Sequence, residues 1–186
     1  MKIVSTGVDL SLTGTGVVTL EDGKLIREYL IKSKPRGDKP VDEVDRLYEI
    51  LCEVLIEIGR FDRITGKAGG IPDIVVIENL AFMAKGTSLT QLAGLSNLLR
   101  NELRIMEIQF LMVAPTTLKK FVTGNGAAKK DVIMMEIFKR YGVTMLDDNK
   151  ADAYGLAQIG LAVLGGNSKS TTKTQDEVID LIKKQL

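Results

Sequence analysis

Apolar and polar residues alternate along the chain in a pattern that predicts strands first and helices afterwards. Short apolar runs near the start predict three antiparallel strands, and an Asp22-Gly23 turn joins the second to the third. These strands cover residues 2–9, 17–20 and 25–31. The run over 73–78 is continuously apolar and predicts a central, parallel strand, because parallel strands are buried on both faces. A further strand is predicted over 107–113.

Helical periodicity accounts for most of the other apolar residues. Apolar positions recur every three or four residues in several later stretches, as on the buried face of a helix. The predicted helices cover 41–58, 88–105, 115–120, 129–141 and a stretch ending near 164. The order of elements predicts an α/β domain with a mixed sheet, three antiparallel strands followed by parallel strands, flanked by helices. We expect this domain to span residues 1–165, with a linker and a peripheral amphipathic helix over 166–186.

Acidic residues crowd the start of the last core helix. Asp148 and Asn149 are predicted to cap it, because their side-chain oxygens can accept from its first backbone N–H groups. Asp152 fits a capping role poorly, since it lies one turn inside the helix and beside the apolar stripe. Clustered oxygens at the rim of a core indicate a site for a hard cation. The alternative is that these acids only cap the helix.

Two further acids lie where predicted strands end, at Asp9 and Glu78. If the first and fourth strands are neighbours, these carboxylates meet, and the last helix can bring Asp152 beside them. Acids at strand ends are often merely solvated, which is the simpler interpretation of each residue alone. All three together favour a site, because an unpaired carboxylate beside an apolar core is costly.

The chain contains no histidine, and this absence restricts the chemistry. It excludes zinc sites built on imidazole, Ser-His-Asp triads and Cys-His pairs. Hydrolysis would have to use carboxylates, lysines, hydroxyls or a metal, and several carboxylates suit Mg²⁺ or Mn²⁺. Two such ions about 4 Å apart can hold the attacking and leaving oxygens of a phosphodiester displacement.

Basic residues point to a phosphate-bearing partner in two places. Between Lys119 and Arg140 six basic residues stand against two acidic ones, an excess that suits a phosphate backbone. The polar segment 32–40 carries four more basic residues beside two prolines. Most such loops are only solvated, although this one could contact a polyanion. Phe82 follows Glu78 closely and either belongs to the core or stacks on an unpaired base.

The remaining composition is that of an ordinary globular protein. The single cysteine, Cys52, excludes an internal disulfide and is expected in the core of a protein from a reducing, cytoplasmic compartment. No apolar segment approaches the ~18 residues that span a membrane, and the first residues lack the apolar run of a signal peptide. No membrane partner is expected. The net charge of +1 is uninformative about nucleic acid.

Four motifs in a fixed order resemble the RuvC-type Holliday junction resolvases, members of the RNase H-like superfamily, over roughly residues 3–164. Singly each motif is weak, but their order and spacing are specific, and their style is closer to phage-encoded members. The motifs are GVDLSLTGTG over 7–16; VVIE over 75–78 with FMAK over 82–85; Pro115 and Lys119 with VTGNGAAKK over 122–130; and ADA over 151–153.

The resemblance implies a homodimer that cuts four-way DNA junctions symmetrically with Mg²⁺ or Mn²⁺. It implies that the metal-binding catalytic carboxylates are Asp9, Glu78 and Asp152, and that the active-site basic residues are Lys119 and Lys130. Phe82 matches the family's junction-contacting aromatic, and the helix over 88–105 matches one in its dimer interface. The other residues expected to contact DNA are Lys85, Lys120 and Lys129.

The sequence departs from the family pattern at the last helix. A second aspartate is expected three residues before Asp152, where this chain has Asn149. Asp148 is the favoured substitute, because an amide oxygen can bind Mg²⁺ but brings no negative charge. One extra residue also separates Glu78 from Phe82, which leaves the placement of the aromatic open.

Other functions remain open at this point. A related nuclease could cut flaps, other branched DNA or RNA–DNA hybrids, and a protein that lost catalysis could only bind junctions. An actin-like ATPase or sugar kinase also begins with a strand, an aspartate and a glycine-rich hairpin. That fold repeats its unit, whereas one copy is visible here.

Overall fold

The computed structural model describes residues 2–60, 70–80, 87–166 and 171–186. Strands and helices alternate much as the sequence predicts. The strands are β1 (Val4–Asp9), β2 (Gly14–Glu21), β3 (Lys24–Lys32), β4 (Ile74–Glu78) and β5 (Phe110–Val113). The helices are α1 (Pro40–Leu55), α2 (Thr87–Ile105), α3 (Pro115–Thr123), α4 (Lys130–Tyr141), α5 (Asp148–Val163) and α6 (Lys173–Lys183). A π-helical turn, Ile56–Arg60, extends α1.

The five strands form one mixed sheet in the order β3-β2-β1-β4-β5. β1 pairs antiparallel with β2, and β2 pairs antiparallel with β3. β4 is parallel to β1 on its other side, and β5 is parallel to β4. The predicted sheet of three antiparallel strands followed by parallel strands, flanked by helices, is confirmed. β1 and β4 are neighbours in the sheet, which is the arrangement that the predicted meeting of Asp9 and Glu78 requires.

Helices cover both faces of the sheet, and the sheet separates the core into two clusters. One cluster of buried residues joins the sheet to α1 and α2 and contains Val8 and Ile77. The other joins it to α3, α4, α5 and α6 and contains Val76. Because side chains alternate between faces along a strand, Asp9 and Glu78 point toward the second layer, where α5 lies.

Helix α5 lies in the middle of this second layer and is buried on every side. All residues from Ala151 to Val163 are buried, not only those of the predicted apolar stripe. The sheet covers one side of the helix, and α3, α4 and α6 cover the other. The sequence pattern marked the face toward the sheet, since small and apolar residues there permit close packing.

Two predicted boundaries and one predicted burial differ from the structure. The strand expected over 107–113 begins only at Phe110, because Glu107 adopts a positive φ of 57° as the chain turns out of α2. Helix α1 ends at Leu55 and passes into the π-helical turn, which stops at Gly59 with a φ of 115°. Cys52, expected in the core, is only half-buried, because it lies at the margin of the face that α1 packs on the sheet.

The C-terminal helix, expected to be peripheral, packs on α3 and α5. Val178, Ile179 and Ile182 join the core cluster of the second layer. Gln175 is buried and donates from Nε2 to the Phe121 carbonyl at 3.1 Å. The tail therefore extends the same core, and the domain boundary at residue 165 stays a prediction. None of the helices in the described ranges is long and apolar enough to cross a membrane.

Glycines allow α5 to lie directly on the sheet. A Cβ on Gly7 of β1 would be 1.9 Å from the Ala153 carbonyl oxygen, and one on Gly16 of β2 would be 2.3 Å from the Asn149 carbonyl oxygen. Both neighbours are backbone atoms of a buried helix, which cannot move aside without disturbing the core. The first turns of α5 can therefore sit against β1 and β2 only where these strands carry no side chain.

Gly7→Ala tests this contact. The added methyl group would push α5 off the sheet, so we expect a loss of roughly 2–3 kcal/mol in the free energy of unfolding, measured by chemical denaturation. Gly94→Ala in α2 is the control, because its Cβ would meet no atom within 4 Å. The control should be neutral or stabilising by about 0.5–1 kcal/mol, since alanine favours a helix. Equal stability of the two variants would contradict the argument.

Candidate active site

Asp9 and Glu78 lie side by side at the carboxyl ends of β1 and β4. Val8 of β1 pairs with Ile77 of β4, so Asp9 and Glu78, which follow them, are neighbours. Both side chains point toward α5, and a hydrogen bond between the two carboxyl groups adds to the effect of burial on the pKa of Asp9. Asp9 is only 6% exposed. The predicted meeting of these two carboxylates is present in the structure.

The surroundings of Asp9 strongly disfavour its negative charge. Burial, together with the neighbouring charges of Glu78 and Asp152, raises the pKa of the Asp9 carboxyl to about 9. Lys130 opposes this shift but does not reverse it. Closely placed carboxylates in a poorly solvated place cannot all be ionised without a cation.

The helix that completes the group is capped by Asp147, one residue before the predicted caps. The Asp147 side chain accepts from the backbone N–H groups of Asn149 at 3.0 Å and Lys150 at 3.2 Å. Its extended backbone is the conformation that an N-cap needs, whereas Asp148 is already in the helix. The capping role predicted for Asp148 and Asn149 is therefore wrong, and their side chains are available for other contacts.

Asp152 lies one turn into α5 and is 8% exposed. Burial raises the pKa of its carboxyl to about 7, and the charge of Glu78 adds to the effect. The charges of Lys130 and Lys119 act in the opposite direction. Asp152 is thus within electrostatic reach of Asp9, Glu78 and both lysines, as the sequence predicted for a helix placed over the strand ends.

Lys130 is held beside the carboxylates by an ion pair with Asp148. The hydrogen bond between them raises the pKa of the Lys130 ammonium and lowers the pKa of the Asp148 carboxyl. The charges of Asp152 and Asp9 also favour the protonated lysine. Lys130 is the first residue of α4, so this helix begins at the site.

Two residues are candidates for the fourth metal ligand, and their surroundings differ. Asp148 contacts Lys130 and is close enough to raise the pKa of Asp152. Asn149 lies against β2, and its amide nitrogen would be 3.1 Å from a Cβ on Gly14. Both remain predicted ligands, and Asp148 is the one that faces the charged groups.

The predicted DNA-contacting residues are distributed unevenly. Lys120 forms an ion pair with Glu177 of α6 at 3.1 Å, which turns it away from the carboxylates. Lys129 is exposed just before α4, next to Lys130. Phe82 and Lys85 lie outside the described residues. Lys119 and Lys130 are the basic residues that the structure brings to the acids.

Two residues that support the site were missed from the sequence. Lys150 forms an ion pair with Glu28 of β3 at 2.9 Å and ties the start of α5 to the sheet. Arg46 of α1 donates to the Leu12 carbonyl in the turn after Asp9. Both partners are distant in sequence, so no local pattern pointed to them. The run of three polar residues after Leu146 did signal a cap, without showing which residue provides it.

The donor set fits a hard divalent cation. In the part of the chain that the structure describes, no three acidic, cysteine or histidine side chains are already gathered closely enough to hold a metal ion. The group is instead a hydrogen-bonded pair, Asp9 and Glu78, with Asp152 electrostatically coupled to it. Its donors are all oxygens, and a cation would offset both the burial and the mutual repulsion that raise the pKa values of Asp9 and Asp152.

Asp9→Asn should stabilise the protein when divalent ions are removed. The pKa of Asp9 is raised from 3.8 to about 9, so folding costs free energy wherever the unfolded chain ionises, and this cost grows as the pH rises through that window. An amide has no such cost. We expect the melting temperature of the variant in EDTA to exceed that of the wild type by several degrees at pH 8 and by less at pH 5.

Asp180→Asn is the matched control for this measurement, because Asp180 is exposed on α6. Its melting temperature should follow the wild type at both pH values. A lower melting temperature for Asp9→Asn, or a difference that does not change with pH, would show that the buried carboxyl is not under electrostatic strain.

Known proteins resemble this chain over most of its length. No protein-family model matches the chain. It is 26% identical over 168 residues to the crossover junction endodeoxyribonuclease RuvC of Carboxydothermus hydrogenoformans, covering 89% of this chain and 99% of that protein.

Solved structures of Thermus thermophilus RuvC have the same fold. RuvC alone superposes with a TM-score of 0.65 at 19% identity, covering 88% of this chain and 98% of the other. Its complex with a Holliday junction substrate gives 0.66 at 16% identity, covering 88% and 97%. The predicted resemblance is confirmed: the chain is RuvC-like in sequence over most of its length and has the RuvC-type RNase H-like fold.

Proposed function

We propose that this protein is a metal-dependent DNA endonuclease that resolves four-way (Holliday) junctions. The observation that carries the proposal is the pair Asp9 and Glu78 at one end of a RuvC-like sheet, with Asp152 and Lys130 electrostatically coupled to the pair. The similarity to crossover junction endodeoxyribonuclease RuvC over 89% of the chain supports it. A carboxylate cluster that is costly to fold is expected where it serves a reaction.

The carboxylates would hold the metal. Asp9, Glu78 and Asp152, with Asp148 or Asn149 as a further ligand, are the proposed ligands of Mg²⁺ or Mn²⁺, which supplies the positive charge that activates water and stabilises the leaving oxygen. Burial of Asp9 and Asp152 keeps bulk water away from these oxygens and strengthens their attraction for a cation.

The lysines would stabilise the phosphate during displacement. Lys130 and Lys119 lie on the side of the carboxylates from which α3 and α4 approach, and both carry positive charge within reach of Asp152. Asp148 holds the Lys130 ammonium in place through its ion pair. Positive charge positioned before the reaction favours the developing charge of the transition state.

Symmetric cleavage of a junction requires two sites, and we infer that the protein acts as a homodimer. Helix α2 carries apolar side chains that its own chain does not cover: Leu98 is 45% exposed and Ile105 is 64% exposed. A second copy packed on this helix would bury them. Removal of apolar surface from water supports association of two copies.

Cleavage of a synthetic four-way junction tests the function. Asp9→Asn should reduce the rate in Mg²⁺ by about a thousandfold or more, because a metal centre supplies several kcal/mol to the transition state. Junction binding in EDTA should persist, and Asp180→Asn should cut like the wild type. Matched duplex, flap and RNA–DNA hybrid substrates separate a junction resolvase from a broader nuclease. Retained cleavage by Asp9→Asn would refute the metal site, and binding without cleavage by the wild type would indicate a non-catalytic junction-binding protein.

Separate variants of Asp148 and Asn149 decide the fourth ligand. Asp148→Ala should raise the Mg²⁺ concentration needed for half-maximal cleavage by about tenfold, in keeping with the loss of a supporting charge. Asn149→Ala should change it little. Titration of Mg²⁺ in the cleavage reaction measures both, and normal cleavage by Asp148→Ala with loss in Asn149→Ala would reverse the assignment.

A further inference from the structure

We propose that segment 32–40, between β3 and α1, is a second binding site for a DNA phosphate backbone. It would hold an arm of the branched substrate beside the carboxylates. This inference rests on the proposed function and names a contact outside the catalytic group. The sequence shows that this segment is rich in basic residues, and none of them belongs to the proposed catalytic site.

The charge of the segment suits a polyanion. Its basic residues are Lys32, Lys34, Arg36 and Lys39, against one acid, Asp38, which leaves a local excess of three positive charges. All four basic residues are exposed. Arg36 forms an ion pair with Glu49 of α1, whereas the three lysines have no acidic partner among the described residues. Three exposed cations that form no ion pair within the described ranges are available to phosphates.

Recesses flank the segment on both sides. One, of about 740 Å³, lies between the segment, the turn at Leu12 and Thr13, and the first residues of α1 and α2. The other, of about 560 Å³, lies between the segment, the end of β3 and the side of α1. Arg36 lines both recesses, so the segment forms a ridge between them. A DNA backbone could bind along this ridge.

Two helices begin at the first recess, and Asp42 and Glu43 in the first turn of α1 offset part of the positive charge at the start of that helix. Pro40 starts α1 and Thr87 starts α2, and each lines the cavity. The amino-terminal end of a helix carries a partial positive charge and unpaired N–H groups. These add to the lysine charges without fixing a base sequence.

A buried arginine gives the segment a defined position relative to Asp9. Arg46 of α1 is 8% exposed and lines the first recess. Its guanidinium donates to the Ser33 hydroxyl at 3.0 Å and to the Leu12 carbonyl. The Ser33 N–H donates to the Thr13 carbonyl at 3.3 Å. The segment is therefore fastened to the turn that follows β1, three residues beyond the catalytic Asp9.

Acids near the recess restrict where a phosphate can bind. Asp42 accepts from the Lys39 N–H at 3.1 Å and so fixes the entry to α1. Glu43 also lines the recess. Lys39 lines the first recess and Lys32 and Lys34 line the second, so phosphates are expected at these three lysines and not at the acids.

The test is junction binding by the triple variant Lys32→Ala, Lys34→Ala, Lys39→Ala. Dissociation constants for a synthetic four-way junction are measured in EDTA between 50 and 200 mM salt. We expect weaker binding by about 10- to 100-fold at 100 mM salt, and a slope of log K against log salt reduced by about 2–3, because each lost phosphate contact removes about 0.9. Cleavage at saturating protein should stay within about twofold of the wild type, since the carboxylates are untouched.

A matched control changes the same charge elsewhere. Lys173→Ala, Lys183→Ala, Lys184→Ala removes three exposed lysines of α6 and its end, and should leave the salt slope nearly unchanged. Replacing Lys32, Lys34 and Lys39 by arginine keeps the charge and should keep the slope. If the alanine triple variant and the α6 control bind the junction equally, segment 32–40 is only solvated. The inference about this segment then fails, while the proposed function is unaffected. If the wild type binds no junction, the proposed function fails and this site fails with it.

Discussion

The direct contact between helix α5 and the middle of the sheet is the interaction on which the rest of the structure depends. Gly7 and Gly16 leave no side chain between the strands and the helix backbone, so the backbone of α5 lies directly against β1 and β2. Because α5 begins beside the carboxyl ends of the parallel strands, this contact brings Asp152 to Asp9 and Glu78. A larger residue at Gly7 would alter both the core and the site.

That contact also creates a conflict between stability and function. Burial raises the pKa of Asp9 to about 9 and that of Asp152 to about 7, which means that ionised carboxylates are held where the fold disfavours them. A divalent cation would remove the conflict, whereas Lys130 offsets only part of it. Such a group is expected to bind a cation tightly, because the cation's charge replaces the water that burial removed.

Two groups of basic residues lie around the carboxylates. Lys130 and Lys119 approach from α3 and α4, while the basic segment before α1 lies beyond the turn that follows β1. Helix α3 packs against the C-terminal helix, and Arg46 donates a hydrogen bond to the turn after β1. These basic residues therefore lie on elements that other parts of the fold hold in place, as the proposed positioning of a phosphate requires.

The sequence by itself determined the order of elements, the mixed sheet and the candidates Asp9, Glu78 and Asp152, because periodicity is a local property. The resemblance to RuvC-type resolvases added Lys119 and Lys130. Tertiary structure decided what local patterns do not contain. It placed the cap at Asp147, buried α5 on every side and paired Lys120 with Glu177, since each depends on a partner distant in the chain or on the local backbone conformation. The electrostatic strain of the carboxylates likewise exists only after folding, because burial and neighbouring charge produce it.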